Sequence, residues 1–166
     1  MRYTIYTAIC QRLQEQLPEI RHIDLWNNNI SALSGGAVWP RPAVFVEFEA
    51  IEWHQQQNKV RMADVAVRLH IVTDAISCNG SADPRQDSAL AFLALINKVN
   101  SAMQGLRGNN FAGFMLTTSA TNHDHAELIE SVERYITRAQ DTSAMSNLQP
   151  VTLSPRVNTR QSPATP

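Results

Sequence analysis

The chain has 166 residues, 43% of them apolar, which suits one domain with a full hydrophobic core. Only 17% are charged, against roughly 25% in an average globular protein, and the net charge is −1, so nothing global favours nucleic acid or an anionic membrane as partner. No apolar run approaches the ~20 residues of a membrane span, and Gln11, Arg12 and Gln14 break up the apolar stretch that a leader would need.

In chain order, Ile5, Ala8, Ile9, Leu13 and Leu17 recur at spacings of three and four, predicting a helix from Thr4 to Gln16 that Pro18 ends. Cys10 lies near its apolar face and reads as a small buried thiol. Ile23 and Leu25 alternate with His22, Asp24 and Trp26, predicting a short strand. The stretch from Asn27 to Arg41 carries turn formers and no sustained period, so it is a long loop, and loops of that length usually have work to do. Ala43 to Trp53 predicts the central strand, with Phe45, Glu47, Glu49, Ile51 and Trp53 on one face and Val44, Val46 and Phe48 on the other. His54 to Lys59 makes a polar turn. A second long strand follows, with Val65, Val67, Leu69 and Ile71 opposite Ala66, Arg68, His70 and Val72, so the two strands form an antiparallel hairpin. An ion pair between Arg68 and Glu52 is expected across it.

Asp83-Pro84-Arg85-Gln86 reads as a helix start, with Asp83 as N-cap, Pro84 in the first helical position and Gln86 closing a capping box. Leu90, Leu93, Ile96, Val99 and Met103 continue from it towards Gln104, before Gly105 and Gly108. A further strand is expected from Gly113. In Leu128 to Arg138 the apolar residues fit both periods and lean slightly to helix. From Ala139 on, four prolines, many Ser and Thr and few large apolar residues mark an extended or disordered arm that forms no core of its own.

Candidate chemistry is sparse. Cys10 and Cys78 form neither a CxxC nor a disulfide framework, which suits a reducing compartment. His123 and His125 are the candidate metal ligands, and on a strand they would share a side. A third ligand would have to come from His22, His54 or His70, none of which sits in an HExxH-type motif, so a polar turn is the preferred reading. There is no GxSxG, and Cys78 has no activating neighbour in sequence. Glu47 and Glu49 share a strand face, where they suit acid/base work less well than a face turned to solvent or to the lumen of a ring. No phosphate loop and no basic stripe with interleaved aromatics occurs.

The order of elements, with the stretches "RHIDLWNNNIS", "PAVFVEFEAIEW", "LHIVTD" and "TNHDHAELIESVERYI", resembles the tail terminator or tail-completion proteins of long-tailed bacteriophages, in particular a group from phages and prophages of Bacteroidetes. The resemblance covers residues 1–138. It implies an α+β fold: a mixed, largely antiparallel sheet with a long central hairpin, covered by two helices, and with Leu128 to Arg138 as a strand. It leaves residues 139–166 as a C-terminal arm outside the domain. It further implies a virion protein of the tail or neck, made in the host cytoplasm. Six subunits would form a ring at the tube end nearest the capsid, with no active site and no cofactor. Expected partners are further copies, the tail tube protein and head-tail connector proteins, with no membrane, and with DNA passing the lumen without specific binding. In such a ring the expected contact residues are Trp39 and Arg41 of the long loop and the tip residues His54, Gln55, Gln56, Gln57, Asn58 and Lys59. Glu47 and Glu49 are candidates to face the lumen. Another neck or connector subunit is the alternative within the virion; a metal-dependent enzyme using His123 and His125 is the alternative of another class.

Overall fold

Ile5, Ile9 and Leu13 give α1 (Arg2–Gln16) its buried stripe, and the helix stops at Leu17, before Pro18. This is a computed structural model that describes residues 1–32, 38–76, 80–122 and 127–145. The short strand follows as β1 (His22–Leu25), and the long loop contains one turn of helix, α2 (Asn29–Ala32). The central hairpin is β2 (Ala43–Phe48) against β4 (Arg61–Asp74), with Val44 opposite Ile71 and Glu47 opposite Arg68. Between them lie β3 (His54–Gln55), paired with Met62 and Arg61, and a 3₁₀ turn, Gln57–Lys59. After the crossing segment come α3 (Gln86–Ala89), α4 (Ala91–Met103), β5 (Met115–Asn122) and β6 (Leu128–Asp141).

The six strands form one open sheet in the order β1-β2-β4-β6-β5, with β3 on the free part of β4. β1 runs parallel to β2 and the other pairings are antiparallel, so the sheet is mixed and largely antiparallel, as expected. Alternation along β2 and β4 sends Val44, Val46, Val65, Val67, Leu69 and Ile71 to the face covered by α1 and α4, where they share a core with Ile5, Ile9, Leu13, Val99 and Met103. The other face carries a second, smaller core of Ile30, Trp39, Ala43, Phe45, Val72 and Leu128, at the end where the long loop folds over the sheet.

Four details depart from the sequence expectation. The central strand ends at Phe48, not Trp53: the chain leaves the ladder after Glu49 N–H bonds to Ala66 C=O, and Ile51 and Trp53 then pack with Phe48 on the main core, not on Phe45's face. The helix expected from Asp83 begins at Gln86. Asp83 instead organises a preceding turn, its carboxylate accepting the Arg85 N–H and its carbonyl the Gln86 N–H. A break at Leu90 separates α3 from α4, and the buried stripe of α4 is Leu95, Val99, Ala102 and Met103, with Leu93 47% exposed. The strand of Leu128 to Arg138 continues three residues further, Ala139, Gln140 and Asp141 pairing with Ala63, Met62 and Arg61. Its buried face is Ser131, Glu133, Tyr135, Thr137 and Ala139, largely polar or small, which is why the spacing of its apolar residues leans towards helix.

That extra length of β6 is closed by an ion pair. Asp141 is 7% exposed and accepts from Arg61 Nη2 at 2.7 Å and Nε at 3.0 Å, while the Arg61 guanidinium lies 4.5 Å from the Trp53 ring centre. The Arg61 hydrogen bonds, aided by the Ser143 N–H, hold the Asp141 carboxyl at about 2, against the cost of burial. A depressed carboxyl contributes stability that is present above its ordinary value and is lost as pH falls through the folded one. The shift corresponds to roughly 2.5 kcal/mol, which the half-open Arg61 reduces to about 1–2 kcal/mol. Asp141→Asn is therefore expected to be less stable than the parent by that amount at neutral pH. In urea unfolding series the gap should close between about pH 4 and about pH 2.

Candidate functional site

Because β2, β4 and β6 are neighbours, their alternate residues stack in rows across the face turned away from α1 and α4. Glu47 and Glu49 from the β2 end, Arg68 and His70 from β4, and Glu130 and Arg134 from β6 meet there. Arg134 grips Glu49 with two parallel hydrogen bonds, Nε to Oε1 at 2.8 Å and Nη2 to Oε2 at 3.0 Å. Arg68 reaches Glu49 at 2.8 Å and Glu47 at 3.6 Å, replacing the expected pair with Glu52, because the register puts Glu47 directly opposite it. The Arg134 hydrogen bonds lead in holding the Glu49 carboxyl below the usual range, and the Arg68 charge adds to them.

His70 is the buried centre of this face. Its Nδ1 stands 2.7 Å from Glu130 and its Nε2 3.0 Å from Glu47, and Trp26 stacks flat on the ring with centroids 3.8 Å apart. The two carboxylates sit at opposite nitrogens of one ring, so they do not converge on a common point. Among the described residues no group of three or more His, Cys, Asp or Glu side chains is arranged to hold a metal ion. His123 and His125, with the turn around them, lie outside the described residues. The arrangement ties three strands and the start of the long loop together. Glu47 and Glu49 do share the open face, yet both are neutralised there by arginine, so this surface is not negative in the way the pair alone suggests.

The other expected residues fall into two groups. Trp39 is only 9% exposed and packs against Phe45 with centroids 4.9 Å apart, so it serves its own loop; its exposed neighbour is Val38, at 93%. Arg41 pairs with Asp74 and lies 5.8 Å from the Trp39 ring centre, beside a cis peptide bond to Pro42. The tip is different. His54, Gln55, Gln56, Gln57, Asn58 and Lys59 are all exposed, and Asn58 and Lys59 both take left-handed backbone (φ 58° and 61°), which reverses the chain tightly. Gln56 N–H bonds to Val60 C=O and closes that turn.

Sequence reasoning missed His70, Glu130 and Trp26 as a unit. The available signal was the alternation of Arg68 and His70 on a strand facing Glu47 and Glu49; nothing in sequence linked Glu130, 60 residues from His70. Three further groups lie away from this face: Cys10, expected to be a buried thiol, is half-buried beside the half-buried Tyr6, and Glu133 is buried. Burial pushes the Cys10 thiol up, and burial, aided by Cys10, pushes the Tyr6 phenol up to about 12. Burial likewise raises the Glu133 carboxyl, to which the Ser119 hydroxyl donates a hydrogen bond. A cavity of about 360 Å³ lies between α4 and the ends of β2 and β4, lined by Pro42, Thr73, Ala89, Phe92 and Leu95, away from the charged face. No described helix is long and apolar enough to cross a membrane.

No protein-family model matches this chain, and no curated protein matches it either.

Proposed function

We propose that the chain is a structural virion subunit that closes into a ring, capping the tail tube of a long-tailed bacteriophage and joining tail to head. The observation that carries this reading is β6. The resemblance requires Leu128 to Arg138 to be a strand where the spacing of apolar residues leans to helix, and in the fold that segment is a strand at the heart of the sheet. The exposed polar tip His54–Lys59 supports it too, being a fixed surface suited to contact. A cyclic ring joins one patch of each subunit to a different patch of the next, and a closed ring offers the tube many weak contacts at once. Such a protein works by complementarity, with no chemical step.

The test is direct. Purified chain added to polymerising tail-tube protein is expected to stop elongation at a small fraction of the tube subunit concentration, with rings visible at tube ends by electron microscopy. Replacing Gln55 and Gln57 together by glutamate is expected to weaken that capping about tenfold or more without lowering thermal stability. Tubes that grow to unchanged length, with the chain sedimenting as a free monomer beside them, would refute the reading.

A further inference from the structure

The helix α4 carries more apolar residues than one buried stripe can use. Leu95, Val99, Ala102 and Met103 face the core, while Leu93 is left exposed and its neighbours Phe92 and Ala94 line the cavity of about 360 Å³ at the Asp74 end of β4. Pro42 and Ala89 add to that apolar lining. The charged side chains around it are part-exposed and already matched: Lys98 donates to Glu19 at 2.8 Å, and Arg41 pairs with Asp74. Small-molecule sites fix their ligand with a few polar groups aimed inward. Here the uncharged polar lining is two hydroxyls, Thr73 and Ser88, so the cavity suits aliphatic side chains better than a polar metabolite.

One segment of this chain has the matching chemistry. Beyond Met145 the charged side chains are Arg156 and Arg160 alone, and Pro150 and Pro155 bracket Val151, Thr152, Leu153 and Ser154. Prolines so placed favour an extended segment that loses little entropy on docking, and in an extended segment Val151 and Leu153 face the same way. With Glu19 and Asp74 matched, the exposed Asp87 on α3, next to the lining Ser88, is the carboxylate left for Arg156 to meet.

We propose that this cavity takes residues 150–155 of a second copy of this chain, with Val151 and Leu153 inside and Arg156 towards Asp87. Reach decides whose segment it is. The turn 142–145 follows Asp141, which pairs with Arg61 at the far end of β4 from the cavity. β4 has 14 residues, so about 45 Å separates its two ends. Extended chain covers at most about 3.6 Å per residue, which keeps Leu153 within about 30 Å of Met145. The segment therefore falls short of its own cavity and meets that of a neighbour. Such a contact is heterologous, so it passes from subunit to subunit as a ring contact does, yet it needs no tube and stands without that reading.

Sedimentation velocity of the full chain over a concentration series is expected to show association beyond the dimer. Val151→Asp with Leu153→Asp should weaken it about tenfold or more. Ala94→Lys, which sets a charge of the same sign as Arg156 into the lining at an exposed position, should do the same. Neither change should move the melting temperature. The two variants, each unable to associate alone, should form one-to-one dimers and nothing larger when mixed, the intact arm of one seated in the intact cavity of the other. The arm substitutions lie outside the described residues and decide the matter if Ala94→Lys fails to fold. A chain monomeric at every concentration, association that ignores the arm substitutions, or a mixture of the two folded variants without the dimer overturns the inference. Association through the arm in a chain that never caps tubes keeps this inference and refutes the ring reading; capping by a chain whose association ignores the arm substitutions does the reverse.

Discussion

Phe45→Ala is expected to lower the free energy of unfolding by about 3–5 kcal/mol, the range for deleting a fully buried aromatic side chain. Phe45 is 0% exposed and is the hub of the smaller core: Trp39, His22 and Trp26 meet its ring edge-on, with centroids at 4.9, 5.6 and 6.2 Å. These ring pairs add to the area that the side chain buries. The Trp39 indole N–H is buried with no partner among the described residues, so packing is what holds the loop at Trp39 over the sheet. Removing Phe45 opens a void under Trp39, and water reaching the indole N–H favours the released loop. Tryptophan emission should therefore shift to the red together with the loss of stability, while Trp53, packed on the main core, keeps its environment. Chemical denaturation and fluorescence check both. A cost under about 1 kcal/mol with unchanged emission would mean that the loop is not anchored by this cluster. Since Arg41 leaves the same loop to pair with Asp74, a loosened loop should also blur the surface that the ring reading gives to Arg41.

How much of the fold is legible in the sequence depends on where each element gets its order. The hairpin and its faces are, because period-two alternation along Val44–Val46 and Val65–Ile71 survives burial on one side and partial exposure on the other. The helix Arg2–Gln16 is, because its stripe is uninterrupted up to Pro18. The end of β2 is not: Glu49 to Trp53 still alternates in sequence, and only the turn at Asn58 and Lys59 and the packing of Ile51 and Trp53 reveal the departure. The break at Leu90 is hidden by apolar residues dense enough to fit several stripes, of which packing selects the one through Leu95. β6 is legible only through the resemblance, since its buried face is largely polar. The charged face is half legible, as alternation places Glu47 and Glu49 on it but not their arginines. Trp39 shows the limit of composition: an aromatic in a long loop suits a contact anchor and a loop's own core equally well, and here it is the latter.

Replacing His70 by leucine is expected to cost about 2–4 kcal/mol, more than its volume change alone, because of what it leaves behind. The Glu130 side chain is 9% exposed and loses the imidazole that stands 2.7 Å from it, its shortest contact among the described residues; the 3.3 Å contact from Asn122 is among those it keeps. Glu47 is half-open and retains Arg68, so most of the penalty falls on Glu130. The neighbours determine whether a second substitution can relieve it. Glu130 is paired across the ladder with Val72, and His70 with Val132, under the flat ring of Trp26. That setting accepts apolar side chains, so the double change His70→Leu with Glu130→Leu should recover much of the loss, leaving it more stable than His70→Leu alone. The coupling between the two sites, measured as the departure from additivity in a double-mutant cycle, is expected to be about 1–3 kcal/mol. Additive losses would mean that the carboxylate and the ring stabilise the sheet separately. A strongly coupled pair would instead mark the face as a clamp that locks β2, β4 and β6 in register, keeping the tip at His54–Lys59 and the edge at β5 in fixed relation to one another.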